Sequence, residues 1–113
     1  MNYYLSGAEL ELTTRLFRER YPSLADSSML IADKACRNEL MIPYTNDLTR
    51  WIYMGEELDW LYNPTNDLEY TWGINRHWHM LDLGKAYLLT GDEKYTETYK
   101  RHFRRWCAQN PPP

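Results

Sequence analysis

The run Trp72-Gly73-Ile74-Asn75-Arg76-His77-Trp78-His79 gathers the side chains of this sequence best suited to chemistry. Arg76 offers a planar fork that can grip a carboxylate with two hydrogen bonds. Asn75 can donate to the same group. His79 can carry a proton near neutral pH. On a continuous helix Asn75, His79 and Asp82 fall at i, i+4 and i+7 and share one face, with Arg76 beside it. Asn75, Arg76, His79 and the indole of Trp72 therefore form a candidate substrate-binding set, fitted to a sugar carboxylate. The competing reading is structural: Arg76 and His79 as satisfied polar groups that tie this helix to a neighbouring loop.

Other chemistries find less support. His77 and His79 would point to different sides of a helix, and no His-x-x-x-His or Glu-x-x-His pair occurs, so no metal site is expected. Cys36 and Cys107 match no metal spacing; they read as two free or buried thiols, and spacing does not decide whether they pair. No glycine-rich phosphate loop is present, no nucleophile motif surrounds Ser6, Ser23 or Ser27-Ser28, and no cofactor is expected. Glu56-Glu57 and Asp59 could serve glycoside hydrolysis as a carboxylate pair, but in a loop they read first as a solvated acidic turn.

The 113 residues, with a formal net charge of −3, suit one small domain and give no general attraction for nucleic acid. Charge is uneven: residues 1–84 hold 13 acidic and 7 basic side chains, residues 85–113 hold 3 and 6. The basic excess gathers at Lys100-Arg101-His102-Phe103-Arg104-Arg105. Such a run suits a polyanion, and it equally suits the solvated C-terminal end of a helix. No window approaches the ~20 apolar residues of a membrane span. Met1-Asn2-Tyr3-Tyr4 leads into no apolar signal-peptide core.

The elements that must position these groups are mainly helical. A first helix is expected from about Ser6 to Arg20, with Ser6 and Glu9 forming a capping box and Tyr21-Pro22 ending it. A second runs from about Ser23 or Asp26 to Met41, ended by Pro43. Residues 43–70, punctuated by Pro43, Asn46, Gly55, Asn63-Pro64 and Asn66, show no sustained period. They read as a long irregular segment held down by aromatics, with room for a short strand near Arg50–Met54. A third helix is expected from about Trp72 or Ile74 to Leu89, apolar over a wide arc and so buried on more than one side. Gly91 stops it and Asp92 caps a fourth helix that ends near Asn110. So short a turn makes the last two helices an antiparallel hairpin.

Asn75-Arg76, Leu83-Gly84-Lys85-Ala86-Tyr87, Thr90-Gly91-Asp92-Glu93-Lys94-Tyr95, Trp106 and Asn110-Pro111 together resemble the N-terminal helical domain of the heparinase II/III family of polysaccharide lyases, heparinase III type. Asp59-Trp60 and Pro64 fit upstream, so the resemblance covers about residues 58–113. It implies an all-α fold: hairpin one at about 6–41 and hairpin two at about 72–110, parts of an incomplete (α/α) toroid completed elsewhere in a parent chain that also carries a β-sandwich. It implies β-elimination on acidic, uronic-acid-containing glycosaminoglycans such as heparan sulfate, in a periplasmic or secreted enzyme. The family's principal catalytic residues are expected beyond residue 113, so none is carried over, and the chain alone is expected to be inactive. Two other readings are a non-enzymatic helical interaction module and a fragment of a toroid glycoside hydrolase.

Overall fold

A computed structural model describes residues 6–43, 45 and 47–113. The expectations at residues 1–4 and at Asn46 lie outside the described residues. Five helices and one two-stranded ribbon are present among them: α1 Gly7–Arg20, α2 Pro22–Cys36, β1 Glu39–Met41, β2 Trp51–Tyr53, α3 Leu68–Ile74, α4 His79–Thr90 and α5 Glu93–Gln109. No helix among the described residues is long and apolar enough to cross a membrane.

α1 starts as its sequence dictates. The Ser6 hydroxyl accepts from Glu9 N–H, and the Glu9 carboxylate accepts from Ser6 N–H. Pro22 both ends the approach from α1 and opens α2, because the first helical position needs no N–H donor. α2 is shorter than its periodicity suggests. It ends at Cys36, and Asn38 takes a left-handed conformation with φ 59°. The Asn38 side chain then donates to the carbonyls of Gly55 and Glu56, both at 2.8 Å. Residues 39–41, helical by sequence pattern, leave in extended form and pair antiparallel with β2 in the register Glu39↔Tyr53, Leu40↔Ile52, Met41↔Trp51. The segment 43–70 is thus less irregular than its lack of period suggests: it contains β2, at the place of the possible strand, and the first turn of α3.

The expected third helix is two helices. α3 stops at Ile74, residues 75–78 form a turned link, and α4 starts at His79. α2 packs most extensively on α4, and α5 lies against both. The core joins Ala32 and Ala35 of α2, Leu40, Met54, Leu58 and Trp60 of the intervening segment, and Leu83, Ala86 and Tyr95 of the final hairpin. α4 is buried along one stripe, Met80, Leu83, Ala86 and Leu89, while Leu81 is 67% exposed. Its wide apolar arc packs against α2, α5 and α1, as expected, and leaves Leu81 and Leu88 open. α1 has no fully buried residue; its Arg18 guanidinium donates to the Leu89 carbonyl at the end of α4. Cys36 and Cys107 are both free thiols.

The turn between α4 and α5 follows from three residues. Gly91 adopts φ 70° and its N–H donates to the Tyr87 carbonyl at 2.7 Å. The Thr90 hydroxyl donates to Ala86 O and accepts from Asp92 N–H. The Asp92 carboxylate accepts from Lys94 N–H at 2.9 Å and caps α5. A Cβ at Gly91 would meet nothing within 4 Å, so substitution there carries only the left-handed backbone cost. Gly91→Ala is expected to lower stability by about 1 kcal/mol, read as a shift of the urea midpoint at unchanged slope.

Candidate functional site

Trp60 is the pivot of the polar region. It is wholly buried, and all three histidines of the chain surround it, with ring centroids at 4.8 Å for His77, 5.7 Å for His79 and 6.3 Å for His102. Its indole N–H donates to the His102 carbonyl at 3.3 Å, its backbone N–H to Gln109 Oε1 at 2.8 Å. Its carbonyl accepts from Asn75 Nδ2 at 2.9 Å.

Asn75 is consumed by this framework. Nδ2 also donates to the Thr71 carbonyl, and Oδ1 accepts from Trp106 Nε1 at 3.0 Å. With both amide ends occupied, Asn75 holds the α3–α4 link to α5. The expectation that Asn75, His79 and Asp82 share a helical face therefore fails for Asn75, which precedes the break; His79 and Asp82 remain one turn apart on α4. The break centres on His77. His77 sits at φ 59°, a left-handed conformation uncommon for a side chain of its size, with its ring between Trp60 and Trp106. Its Nε2 is buried with no hydrogen-bond partner among the described residues, and burial lowers its pKa.

Arg76 is exposed, its guanidinium 5.9 Å from the Trp78 ring centre. Trp72 is 54% exposed on α3. His79 turns inward: Nε2 lies 3.1 Å from His102 Nδ1, and His102 Nε2 lies 2.9 Å from Asn38 Oδ1. Arg101 Nη2 donates to the same Asn38 oxygen at 3.0 Å. Burial is the main force holding both rings neutral. It pushes His79 down to about 3, helped by His102 and His77, and His102 down to about 4, helped by Arg101 and His77.

One side of His79 lines a cavity of about 270 Å³, bounded by Ile31, Leu40, Pro43, Ile74, Trp78 and Asp82 among others. Burial raises the Asp82 pKa, opposed by a hydrogen bond from Ser28 and by Lys85. Gly73 also lines this cavity because its missing side chain makes room for Pro43: a Cβ there would fall 2.3 Å from Pro43 Cβ. Gly73→Ala is expected to cost about 1–3 kcal/mol through overpacking. A thermal melt of the variant checks this, with loss of near-ultraviolet ellipticity from the displaced aromatics.

The sequence-based set of Trp72, Asn75, Arg76 and His79 is thus divided: Asn75 supports, Arg76 and Trp72 lie on the surface, and His79 borders the cavity. Residue types and spacing do not single out Asn38, Trp60 or His102 as parts of the site. The one available signal is that the chain has only three histidines, and they converge. Glu57 faces Arg105 at 3.9 Å, and Asp59 accepts from Gln109 and Leu61 N–H. That acidic turn braces α5. In the basic run, Arg101 and Arg105 reach back to Asn38 and the Leu58 carbonyl, while Lys100 and Arg104 face solvent.

The family model described as "Heparinase II/III N-terminus" matches residues 2–113. A heparin-sulfate lyase of Bacteroides stercoris is 40% identical over 57 residues, covering 50% of this chain and 9% of that protein. A heparin-sulfate lyase of Bacteroides thetaiotaomicron is 33% identical over 126 residues, covering 99% of this chain and 18% of that protein. The chain therefore spans less than a fifth of the length of these relatives. Its fold matches the crystal structure of a heparan sulfate lyase HepC mutant from Pedobacter heparinus, with TM-score 0.66 and 25% identity over 74% of this chain and 13% of that one. A heparinase III with methylated lysines matches with TM-score 0.67 and 28% identity over the same shares.

Proposed function

The chain belongs to the heparinase II/III family, and from that premise we propose that it is the N-terminal part, over residues 1–113, of a lyase cleaving uronic-acid-containing glycosaminoglycans of the heparan sulfate kind. The observation that carries this reading is the alignment of nearly the whole chain with a heparin-sulfate lyase. The helix hairpins are then a portion of an (α/α) toroid, and the cavity side of α4 borders the substrate groove. Exposed Arg76 and Trp72 and cavity-lining His79 are the groups of this chain that meet polysaccharide. Asn75 keeps the α3–α4 link in place and meets none.

β-Elimination needs three things: the uronate carboxylate neutralised, the proton at C5 removed, and the leaving oxygen protonated. A base works best with a pKa near the working pH. His79, held at about 3, is far below that. As the family resemblance implies, the base and acid belong to chain outside these residues, and this segment binds and positions. A periplasmic or secreted setting belongs to the same proposal.

The test is depolymerisation of heparan sulfate by the complete gene product, followed by the ultraviolet absorbance of the unsaturated uronate formed. The complete enzyme is expected to generate that signal and the 113-residue chain alone to generate none. In the complete enzyme Arg76→Ala is expected to weaken kcat/KM about tenfold, the loss of ~1.4 kcal/mol of substrate interaction. New reducing ends without the ultraviolet signal would mean hydrolysis and sink the lyase reading.

A further inference from the structure

The hydrogen-bond chain behind His79 fixes where its protons are. Asn38 Nδ2 faces two carbonyl oxygens, Gly55 and Glu56, which only accept. Asn38 Oδ1 faces Arg101, which only donates. The amide orientation is therefore determined from both ends. His102 Nε2, 2.9 Å from that oxygen, must carry a hydrogen. Because His102 is neutral, its Nδ1 is a bare acceptor. His79 Nε2, 3.1 Å away, must then be the donor. The remaining nitrogen of His79, Nδ1, is left with a lone pair, and it takes up no hydrogen bond among the described residues.

This lone pair belongs to a ring lining the same cavity as the Asp82 carboxylate. Ser28 donates to that carboxylate from α2, leaving it further acceptor capacity. The rest of the wall is mostly apolar, with Ile31, Leu40, Pro43 and the 57%-exposed Trp78, and the Thr45 hydroxyl that also lines it donates to the Ile42 carbonyl at 2.9 Å. A mostly apolar lining that also carries two acceptors fits a pyranose ring that offers hydroxyl hydrogens. It does not fit a carboxylate, which would bring negative charge against Asp82 and a lone pair against His79.

We propose that this cavity is a subsite for a neutral hexose ring and excludes the uronate, with Asn38 and His102 as positioning residues that hold His79 in the acceptor tautomer. The proposal rests on the lyase reading for its substrate class, and adds to it which sugar unit of the alternating chain sits against α4.

Two probes isolate the claim: a methyl glucoside and the corresponding methyl glucuronide, which differ only in CH₂OH against carboxylate at C6. Each is titrated into the 113-residue chain carrying ¹⁵N-histidine and ¹⁵N-tryptophan, at neutral pH. Before ligand, long-range ¹H–¹⁵N spectra should show His79 protonated at Nε2 alone, with Nδ1 at the shift of an unprotonated nitrogen. The glucoside should move His79 Nδ1 and the Trp78 indole together, and the glucuronide should bind at least about tenfold more weakly. Asp82→Asn keeps an acceptor for Ser28 and removes the charge, so it should narrow that gap. His79→Phe should abolish the glucoside response at Trp78.

A protonated Nδ1 in the unliganded chain would overturn the tautomer assignment. Equal or tighter binding of the glucuronide would overturn the subsite, as would no response to either probe at saturating concentration. None of these readings involves bond cleavage. Selective glucoside binding in a complete enzyme that yields no unsaturated product would refute the lyase reading and leave the subsite standing.

Discussion

Trp60→Ala is expected to remove about 3–5 kcal/mol of folding stability, the range for truncating a fully buried aromatic. Trp60 is wholly buried and belongs to the main core cluster. Its loss empties the space bounded by all three histidine rings and abolishes the N–H donated to the His102 carbonyl. A domain of this kind has roughly 5–15 kcal/mol in total, so the variant should be largely unfolded at modest urea concentrations. Trp72→Ala and Trp78→Ala are the controls. Both indoles are more than half exposed, and each change should stay within about 0.5 kcal/mol. Urea unfolding followed by far-ultraviolet ellipticity decides the matter. A Trp60→Ala variant as stable as the two controls would mean that the polar cluster is not anchored by this indole.

Acid should unfold the protein through the same cluster. The usual histidine value is 6.5, whereas folding holds His79 at about 3 and His102 at about 4. As pH falls below 6.5, both rings take up protons in the unfolded chain and refuse them in the folded one. The unfolded state binds more protons throughout that window, so stability is full above about pH 6.5 and declines steadily toward pH 4. The limiting slope is about 1.4 kcal/mol per pH unit for each ring. Asp47 and Asp59 have lowered pKa values, through hydrogen bonds from Thr49 and Gln109, and their stabilisation is lost only below the ordinary 3.8. The two windows are therefore separable. Urea midpoints measured at a series of pH values between about 4 and 7 should fall with acidification, and because burial lowers His77 as well, His79→Gln should reduce the slope by roughly a third to a half. A midpoint flat across this range would show that the histidines are not held neutral.

These two effects also bear on function. The groups that brace α4 against α5 are the ones that shape the cavity, so a chain weakened at Trp60 or exposed to acid should lose sugar binding together with its fold. Stability at the pH of assay is thus a condition for testing the subsite.

Much of the local structure is legible in the residues. The Ser6–Glu9 capping box, the break at Tyr21-Pro22 and the Thr90-Gly91-Asp92 turn appear as their sequences imply, because each depends on contacts between residues no more than four apart. The family resemblance rests on the same hairpin and its flanking Asn75-Arg76 and Trp106. Element boundaries are lost where distant chain intervenes. The pattern of α2 continues to Met41, but Asn38 finds its acceptors at Gly55 and Glu56, seventeen and eighteen residues on, and β1 pairs with β2 instead of continuing the helix. The single helix expected from Trp72 or Ile74 to Leu89 is broken because His77 packs between Trp60 and Trp106, rings contributed by two other segments.

The candidate site divides along the same line. Residue types alone mark Asn75, Arg76, His79 and Trp72 as capable of meeting a sugar, and that is a property of side-chain chemistry. Which of them is available is a property of packing. Asn75 is spent on Trp60, Thr71 and Trp106, and His79 is oriented by His102 and Asn38, twenty-three and forty-one residues away. Short-range hydrogen bonds are determined by the sequence itself because their partners are tethered within a turn or two. The destination of each long-range donor and acceptor stays open until the chain closes, and here that closure decides which nitrogen of His79 carries the proton.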